Sequence, residues 1–216
     1  MGCVLARPLL ETPYPGRLHA APRARVRSHQ VAQWLIDDVQ AEVDSRDNHS
    51  QTPLHHAAVK GQATLVQLLL KRGADPMARD RAGWTPIHAC SRSNHTDAAL
   101  ELIATLEPAR ALVREKTVEL DKSAGLDAQR VRKELAKAED HADMLNVRGP
   151  RGETPLHRAA FWGHTGMVQT LLEAGAVAAP VNEAGLTPFD VICKGVDQPL
   201  ALPAITKLLR SPTPAA

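Results

Sequence analysis

Histidine recurs in this sequence one helical turn after threonine, an arrangement that could support metal binding or acid–base chemistry. The pairs are Thr52 with His55, Thr85 with His88, and Thr154 with His157. Imidazole is a common metal ligand and general base, and a hydroxyl group beside it could act as a nucleophile. The third pair lies in TPLHRAAFWGH, which also holds two adjacent aromatic residues in a chain that has only six. These residues are therefore either a reactive centre or a part of the scaffold.

The elements that position these residues form a pattern that repeats along the chain. Thr-Pro begins at Thr52, Thr85, Thr154 and Thr187, with spacings of 33, 69 and 33 residues. Threonine caps a helix and proline fits the first helical turn, so each Thr-Pro predicts the start of a helix. A second apolar segment follows each one, such as TLVQLLLKRGADP. Two helices cannot bury such an apolar stripe alone, so the units are expected to stack.

TPLH followed by two alanines, a glycine, VxxLL and GAD closely resembles the ankyrin repeat, a helix-turn-helix unit of about 33 residues with a β-hairpin loop. The resemblance covers residues 29–210 apart from one interruption. It implies an all-α ankyrin-repeat solenoid that binds proteins and has no catalytic activity. The expected organisation is a disordered basic tail (1–27), a capping helix (28–46), repeats (47–106), a charged helical insertion (107–147), repeats (148–210) and a disordered tail (211–216).

The segment before the first repeat predicts an N-terminal cap. Ser28 could begin a helix that carries Val31, Trp34, Leu35 and Val39 and that aligns with the second helix of a repeat whose first half is missing.

The interruption has two interpretations. Residues 107–147 are rich in Ala, Leu, Glu, Lys and Arg, which predicts helix, and we favour a helical insertion that packs on the array or projects from it. The alternative is a diverged repeat that begins at Thr117. Against it, Lys122 and Ser123 would occupy the buried alanine positions, and burial of an unpaired lysine is costly.

The recurrence of the Thr-His pair at one position of each unit favours a structural role. The hydroxyl group and the ring can bond to each other, and histidines of stacked units would lie about 10 Å apart, too far to share a zinc ion. The sequence has no carboxylate pair, phosphate loop or nucleophile motif. We therefore expect no enzymatic activity and no catalytic, cofactor or metal site.

Composition narrows the class of protein further. A net charge of +2 argues against a nucleic-acid partner. Cys3, Cys90 and Cys193 are far apart and lack CxxC spacing, which favours a reducing compartment, and the last two take small buried positions of their units. No apolar run approaches the roughly 20 residues of a membrane span. The expectation is a cytoplasmic monomer.

Partner-binding residues are expected where stacking leaves side chains free, at the hairpin tips and on the outer face of each first helix, which together form a concave surface. Tryptophan and arginine dominate measured hot spots. The predicted set is Lys60, Arg81, Trp84, Arg92, Arg151, Glu153, Arg158, Phe161 and Trp162. In the alternative, Trp84 packs along the neighbouring hairpin and Phe161 packs under the inserted helices.

The start MGCVLA resembles an acylation signal, with Gly2 as a myristoyl site and Cys3 as a palmitoyl site, although Ala6 stands where Ser or Thr is preferred. Arginines among the first 27 residues would strengthen such an anchor. The alternatives are a plain disordered tail and a mitochondrial presequence, which the prolines oppose. A second functional hypothesis is therefore a membrane-associated adaptor or assembly factor whose partner contact is the helical insertion.

Overall fold

A computed structural model of the 216-residue chain describes residues 23–122, 132–133, 135–136, 139, 143–192 and 202–210. The helices are α1 (Arg23–Asp37), α2 (Pro53–Lys60), α3 (Ala63–Lys71), α4 (Pro86–Ser93), α5 (Thr96–Ile103), α6 (Leu106–Lys122), α7 (Pro155–Phe161), α8 (Thr165–Glu173) and α9 (Leu202–Arg210). Short 3-10 helices span Met144–Asn146 and Pro150–Gly152. Gly2, Cys3, Cys193, residues 1–22 and 211–216, and most of 123–142 lie outside the described residues.

The predicted all-α class is confirmed, because no β-strand occurs within the described ranges. The loops that we expected to be β-hairpins are tight turns without strands. In one of them, the Asp80 N–H donates to the Trp84 carbonyl at 2.9 Å and the Gly83 N–H donates to the Asp80 carbonyl at 2.9 Å. None of the described helices combines the length and the apolar character that a membrane span requires.

First helices pack on first helices and second helices on second helices. α2 contacts α4, α4 contacts α7, and α3 contacts α5. Small side chains permit this close approach, since Ala57, Ala58, Ala159 and Ala160 are all buried. Cys90 takes the corresponding place in α4 and is fully buried, as predicted. The core is therefore a continuous line through the stacked units.

The last unit keeps the threonine of the motif but replaces the histidine by Asp190. The Asp190 carboxylate accepts hydrogen bonds from the N–H and the hydroxyl group of Thr187, at 2.8 and 2.7 Å. α9 packs against α8, and its Ile205 is fully buried. The degenerate unit therefore still contributes to the core.

The predicted cap differs from the structure in its bounds. α1 begins at Arg23, ahead of Ser28, and ends at Asp37. Four apolar residues expected on the capping helix are exposed: Val31 by 55%, Trp34 by 56%, Leu35 by 38% and Val39 by 52%.

α1 takes the place in the stack that its alignment with a second repeat helix predicts. Ile36 packs against the core and lies 33 residues before the buried Leu69 of α3. α1 thus occupies the place of a second repeat helix. Arg72 at the end of α3 donates two hydrogen bonds to Asp37, at 2.8 and 2.7 Å, and holds α1 in this orientation. The Trp34 side of the helix consequently faces away from the array.

The contacts around the interruption favour an insertion. α4 packs directly on α7, so the second and third Thr-His units are neighbours in space. Thr117 lies inside α6, where its hydroxyl group donates to the Val113 carbonyl at 3.0 Å, and so it does not begin a helix as the diverged-repeat interpretation requires. Ser123 lies outside the described residues.

Both ends of the segment are anchored in the core. Leu106 and Ala109 are buried at the start of α6, and Met144, Leu145 and Val147 are buried at the other end. Both ends of the predicted insertion therefore pack on the array.

Candidate functional site

A cavity of about 400 Å³ opens on the face formed by the first helices and the loops. Its walls come from three successive Thr-His units and are formed by Gln51, His55, Val59, Asp80, Trp84, His88, Ala89, Arg92, Ser93, Arg158 and Trp162. The structure thus brings together four of the predicted partner-binding residues, namely Trp84, Arg92, Arg158 and Trp162. Their role in binding stays a prediction.

The histidines behind this cavity are fully engaged in hydrogen bonds. In each Thr-His pair, Nδ1 of the ring accepts from the threonine N–H, at 3.2, 3.4 and 3.2 Å along the chain. The threonine hydroxyl group also lies 2.9–3.0 Å from Nδ1, which is the local bond that the spacing predicts.

The other ring nitrogen links each unit to the next. Nε2 of His55 donates to the Trp84 carbonyl at 3.1 Å. In the same way, Nε2 of His88 donates to the Glu153 carbonyl at 3.1 Å, and Nε2 of His157 donates to the Leu186 carbonyl at 3.0 Å. A carbonyl can only accept, so Nε2 carries the proton in all three rings. Both nitrogens are therefore committed, and neither offers a free lone pair to a metal ion or a substrate.

Burial keeps these rings neutral. It lowers the pKa of His55 and His157, and it lowers the pKa of His88 to about 3. A protonated ring would have to give up the Nδ1 acceptor on which the threonine N–H depends. The histidines thus hold the stack together and are scaffold.

Trp84 is fixed by its neighbours on three sides. Its ring lies edge-on to His88 with 5.1 Å between centroids, and the Arg158 guanidinium carbon lies 4.2 Å from its centroid. Its third neighbour is Gly149, where an added Cβ would stand 2.7 Å from the ring. The alternative in which Trp84 packs along the next loop therefore describes its position correctly.

The loop that contains Gly149 differs from the other loops, which have Asp or Asn at the corresponding position. Asp47, Asp80 and Asn182, each five residues before the threonine of their unit, accept two backbone hydrogen bonds through one side-chain oxygen. At Gly149 the Trp84 ring takes the space of that side chain. Asp80 was not among the predicted site residues, although its fixed spacing from Thr85 is a signal that could have indicated its place in the cavity wall.

Arg158 is charged but poorly solvated. Its side chain is only 18% exposed. Its Nε is buried and has no hydrogen-bond partner among the described residues. Glu153 lies beside it, with 3.8 Å between Nη1 and Oε2, which is beyond hydrogen-bond distance. Desolvation lowers the pKa of Arg158, the charge of Glu153 opposes this shift, and the charge of Arg92 adds to it.

Trp162 lies between an arginine and a second aromatic ring. The guanidinium carbon of Arg92 is 5.9 Å from its ring centroid, and Phe161 packs edge-to-face against it with 5.4 Å between centroids. The indole Nε1 is buried and, like Nε of Arg158, finds no acceptor in the described part of the chain.

The remaining predicted residues lie elsewhere. Lys60 lines a separate cavity of about 480 Å³ beside Asp47 and His56. Arg81 and Arg151 are exposed at loop tips, where their backbones bond to neighbouring loops: the Arg81 N–H donates to the His49 carbonyl, and the Arg151 carbonyl accepts from the N–H of Glu183. The cavity therefore excludes Lys60, Arg81 and Arg151.

Comparison with known proteins identifies the repeats. The family model for ankyrin repeats in three copies matches residues 18–111, and the model for a single ankyrin repeat matches residues 151–194. The first match includes α1, in agreement with its position as a second repeat helix.

Individual relatives are similar over the repeats. Ankyrin repeat and IBR domain-containing protein 1 of Homo sapiens is 34% identical over 143 residues, which are 62% of this chain and 13% of that protein. The B-cell lymphoma 3 protein homolog of Mus musculus is 38% identical over 139 residues, 62% of this chain and 31% of that protein. The 26S proteasome non-ATPase regulatory subunit 10 of Dictyostelium discoideum is 36% identical over 63 residues, 29% of this chain and 27% of that protein. The chain thus spans less than a third of the length of each of these relatives.

Proposed function

Because this chain belongs to the ankyrin repeat family, we propose that it is a noncatalytic adaptor or regulatory module that holds a partner protein against its concave face. Relatives that share the repeats include a proteasome regulatory subunit, which is consistent with a role in protein–protein interaction. The site proposed here is the cavity between the units that begin at Thr52, Thr85 and Thr154.

This proposal rests on one observation. Tryptophan and arginine side chains lie together in one cavity, and some of their N–H donors have no acceptor in the part of the chain that the structure describes. Trp84 and Trp162 supply aromatic surface, and Arg92 and Arg158 lie over these rings. The Nε of Arg158 and the Nε1 of Trp162 have no acceptor among the described residues. Buried donors without partners are rare in folded proteins and cost free energy. A bound partner would relieve this cost when side chains in the cavity adjust to it.

The proposed mechanism is preorganisation. Trp84 is held between Gly149, His88 and Arg158 before any partner arrives. Little side-chain entropy is then lost on association, so more of the contact energy contributes to affinity.

The experiment is affinity purification with quantitative mass spectrometry on the full chain, comparing Trp162→Ala with Trp34→Ala. Trp34 is the matched control, because it is an exposed tryptophan on α1, outside the cavity. We expect Trp162→Ala to weaken binding by about 2 kcal/mol, or roughly 30-fold, as at a hot spot. Trp34→Ala should leave the partners bound. Unfolding in urea should change little for either variant; a large loss of stability in Trp162→Ala would place that ring in the core.

The second candidate function places the contact on the segment around α6 and adds an acylated N-terminus. It is favoured by Leu112, which is 41% exposed on α6, and by the start MGC. Deletion of residues 111–142 tests the first part and spares the buried Ala109 and Met144. Retained partners would support the concave face, and lost partners would support the segment.

The proposed N-terminal modification has its own test. Mass spectrometry of the mature N-terminus should show a myristoyl group on Gly2 if the acylation hypothesis is correct. An unmodified Met1 or Gly2 would contradict it without affecting the concave-face proposal.

A further inference from the structure

The charged side chains in the cavity wall indicate what kind of partner residue binds there. Arg158 is largely desolvated, and its Nε is buried without a hydrogen-bond partner among the described residues; the nearest carboxylate, Glu153, is 3.8 Å away. A guanidinium group has five N–H donors in a planar fork that fits a carboxylate. An arginine that is desolvated without an acceptor is costly, so its donors point to a ligand that supplies one.

Arg92 adds a second cation to the same wall. It is exposed, it lies over Trp162 with 5.9 Å to the ring centroid, and it has no salt bridge with a carboxylate of the described residues. The two arginines line the same cavity, and the charge of Arg92 lowers the pKa of Arg158. Two like charges that share a cavity are stabilised by an anion between them.

The charge balance decides which anion fits. Of the groups that line the cavity, Arg92 and Arg158 are positive, Asp80 is negative, and His55 and His88 are neutral. Asp80 is already occupied, since its Oδ1 accepts from the N–H groups of Ala82 and Trp84. Among the residues that line the cavity, the positive charges therefore exceed the negative charges by one, and Glu153, which does not line it, offsets part of the charge of Arg158 from 3.8 Å. One carboxylate is sufficient to balance the charge that remains. A phosphate group, with a charge of about −1.5 to −2, would exceed that balance.

We infer that the partner presents an aspartate or glutamate carboxylate between Arg92 and Arg158, flanked by an apolar side chain that packs on Trp162 and Val59. This inference rests on the proposed binding function of the concave face and adds the chemistry of its ligand. The carboxylate accepts from the fork of Arg158, and Arg92 contributes a second charge from the rim.

The test uses a display library of random 12-residue peptides, selected on the immobilised full chain at neutral pH. The selected sequences should be enriched in Asp or Glu beside an apolar residue. A synthetic copy of one peptide is then titrated against Arg158→Gln, with Arg210→Gln as the matched control at an exposed arginine of α9 outside the cavity. Affinity should fall by about tenfold or more with Arg158→Gln, and it should stay unchanged with Arg210→Gln.

A double-mutant cycle links the two charges directly. Replacing the peptide Asp by Asn should cost as much as Arg158→Gln, and the two changes together should cost little more than either one alone. The Arg158→Gln protein should also unfold at the same or a higher urea concentration than the parent, because it removes a desolvated charge. This second readout shows that the variant is folded.

The other outcomes separate this inference from the proposed function. Peptides without acidic enrichment that bind Arg158→Gln normally and fail to bind Trp162→Ala would overturn the carboxylate and leave the concave face intact. A phosphoserine peptide that binds more than about tenfold tighter than its aspartate form would overturn the charge argument. A selection that yields no peptide dependent on either Arg158 or Trp162 would contradict both proposals.

Discussion

Acidification should unfold the array through the histidines that join its units. The His88 ring is 1% exposed and neutral, and burial lowers its pKa to about 3 from an ordinary value of 6.5. As the pH falls, the His88 ring therefore binds a proton near pH 6.5 in the unfolded chain, but only near pH 3 in the folded chain. The contribution to stability is complete above pH 6.5 and is lost as the pH falls toward 3.

The size of the effect follows from this pKa difference. Between pH 7.5 and pH 5.0, His88 alone should lower the free energy of unfolding by about 2 kcal/mol, and each further pH unit should cost about 1.4 kcal/mol until pH 3 is near. His55 and His157 shift in the same direction and should add to the loss.

Urea unfolding followed by circular dichroism at pH 7.5 and 5.0 measures this change, and His88→Gln is the control. Glutamine does not titrate, so the loss of stability between the two pH values should be about 2 kcal/mol smaller in the variant than in the parent. Contributions from carboxylates cancel in this comparison. An equal pH-dependent loss in both proteins would refute the assignment of His88 as a buried neutral ring.

Two further predictions concern buried contacts. Burial raises the pKa of the Cys90 thiol to about 12, so in a Cys3→Ser, Cys193→Ser background we expect it to react with Ellman's reagent at pH 8 only after urea unfolding; rapid reaction of the folded protein would contradict this. In Gly149→Ala the new Cβ would stand 2.7 Å from the Trp84 ring, and urea unfolding should show a loss of about 1–3 kcal/mol. Gly166→Ala is its control, because that Cβ would meet only the Thr96 methyl group at 3.8 Å inside α8, and it should stabilise the protein by about 0.5–1 kcal/mol; equal effects of the two changes would refute the Trp84 contact.

Much of the scaffold was accessible from the sequence because it repeats. Thr-Pro at fixed spacing predicted where α2, α4 and α7 begin, and the spacing of Thr52 and His55 predicted their hydrogen bond. The fourth predicted start was wrong, because residues 188–192 after Thr187 form turns. The second bond, from Nε2 to the next unit, could not be read from one unit alone, because it depends on how the units stack.

The features that the sequence did not show depend on several elements at once. One of them is which side of α1 faces the array, because the pair of Asp37 with Arg72 and the packing of Ile36 decide it. The charge pattern of the cavity was also inaccessible, because residue types do not show that Arg158 is desolvated and lies beyond hydrogen-bond distance of Glu153. Burial of this kind is a property of the assembled units.

Site-specific photocrosslinking to a partner recovered by affinity purification tests the central claim most directly. A photoreactive amino acid is placed at Ser93, in the cavity wall, or at Leu112, which is exposed on α6. The concave-face proposal predicts a crosslinked product from position 93 and none from position 112. A product from position 112 alone would contradict it and move the partner contact to the inserted segment.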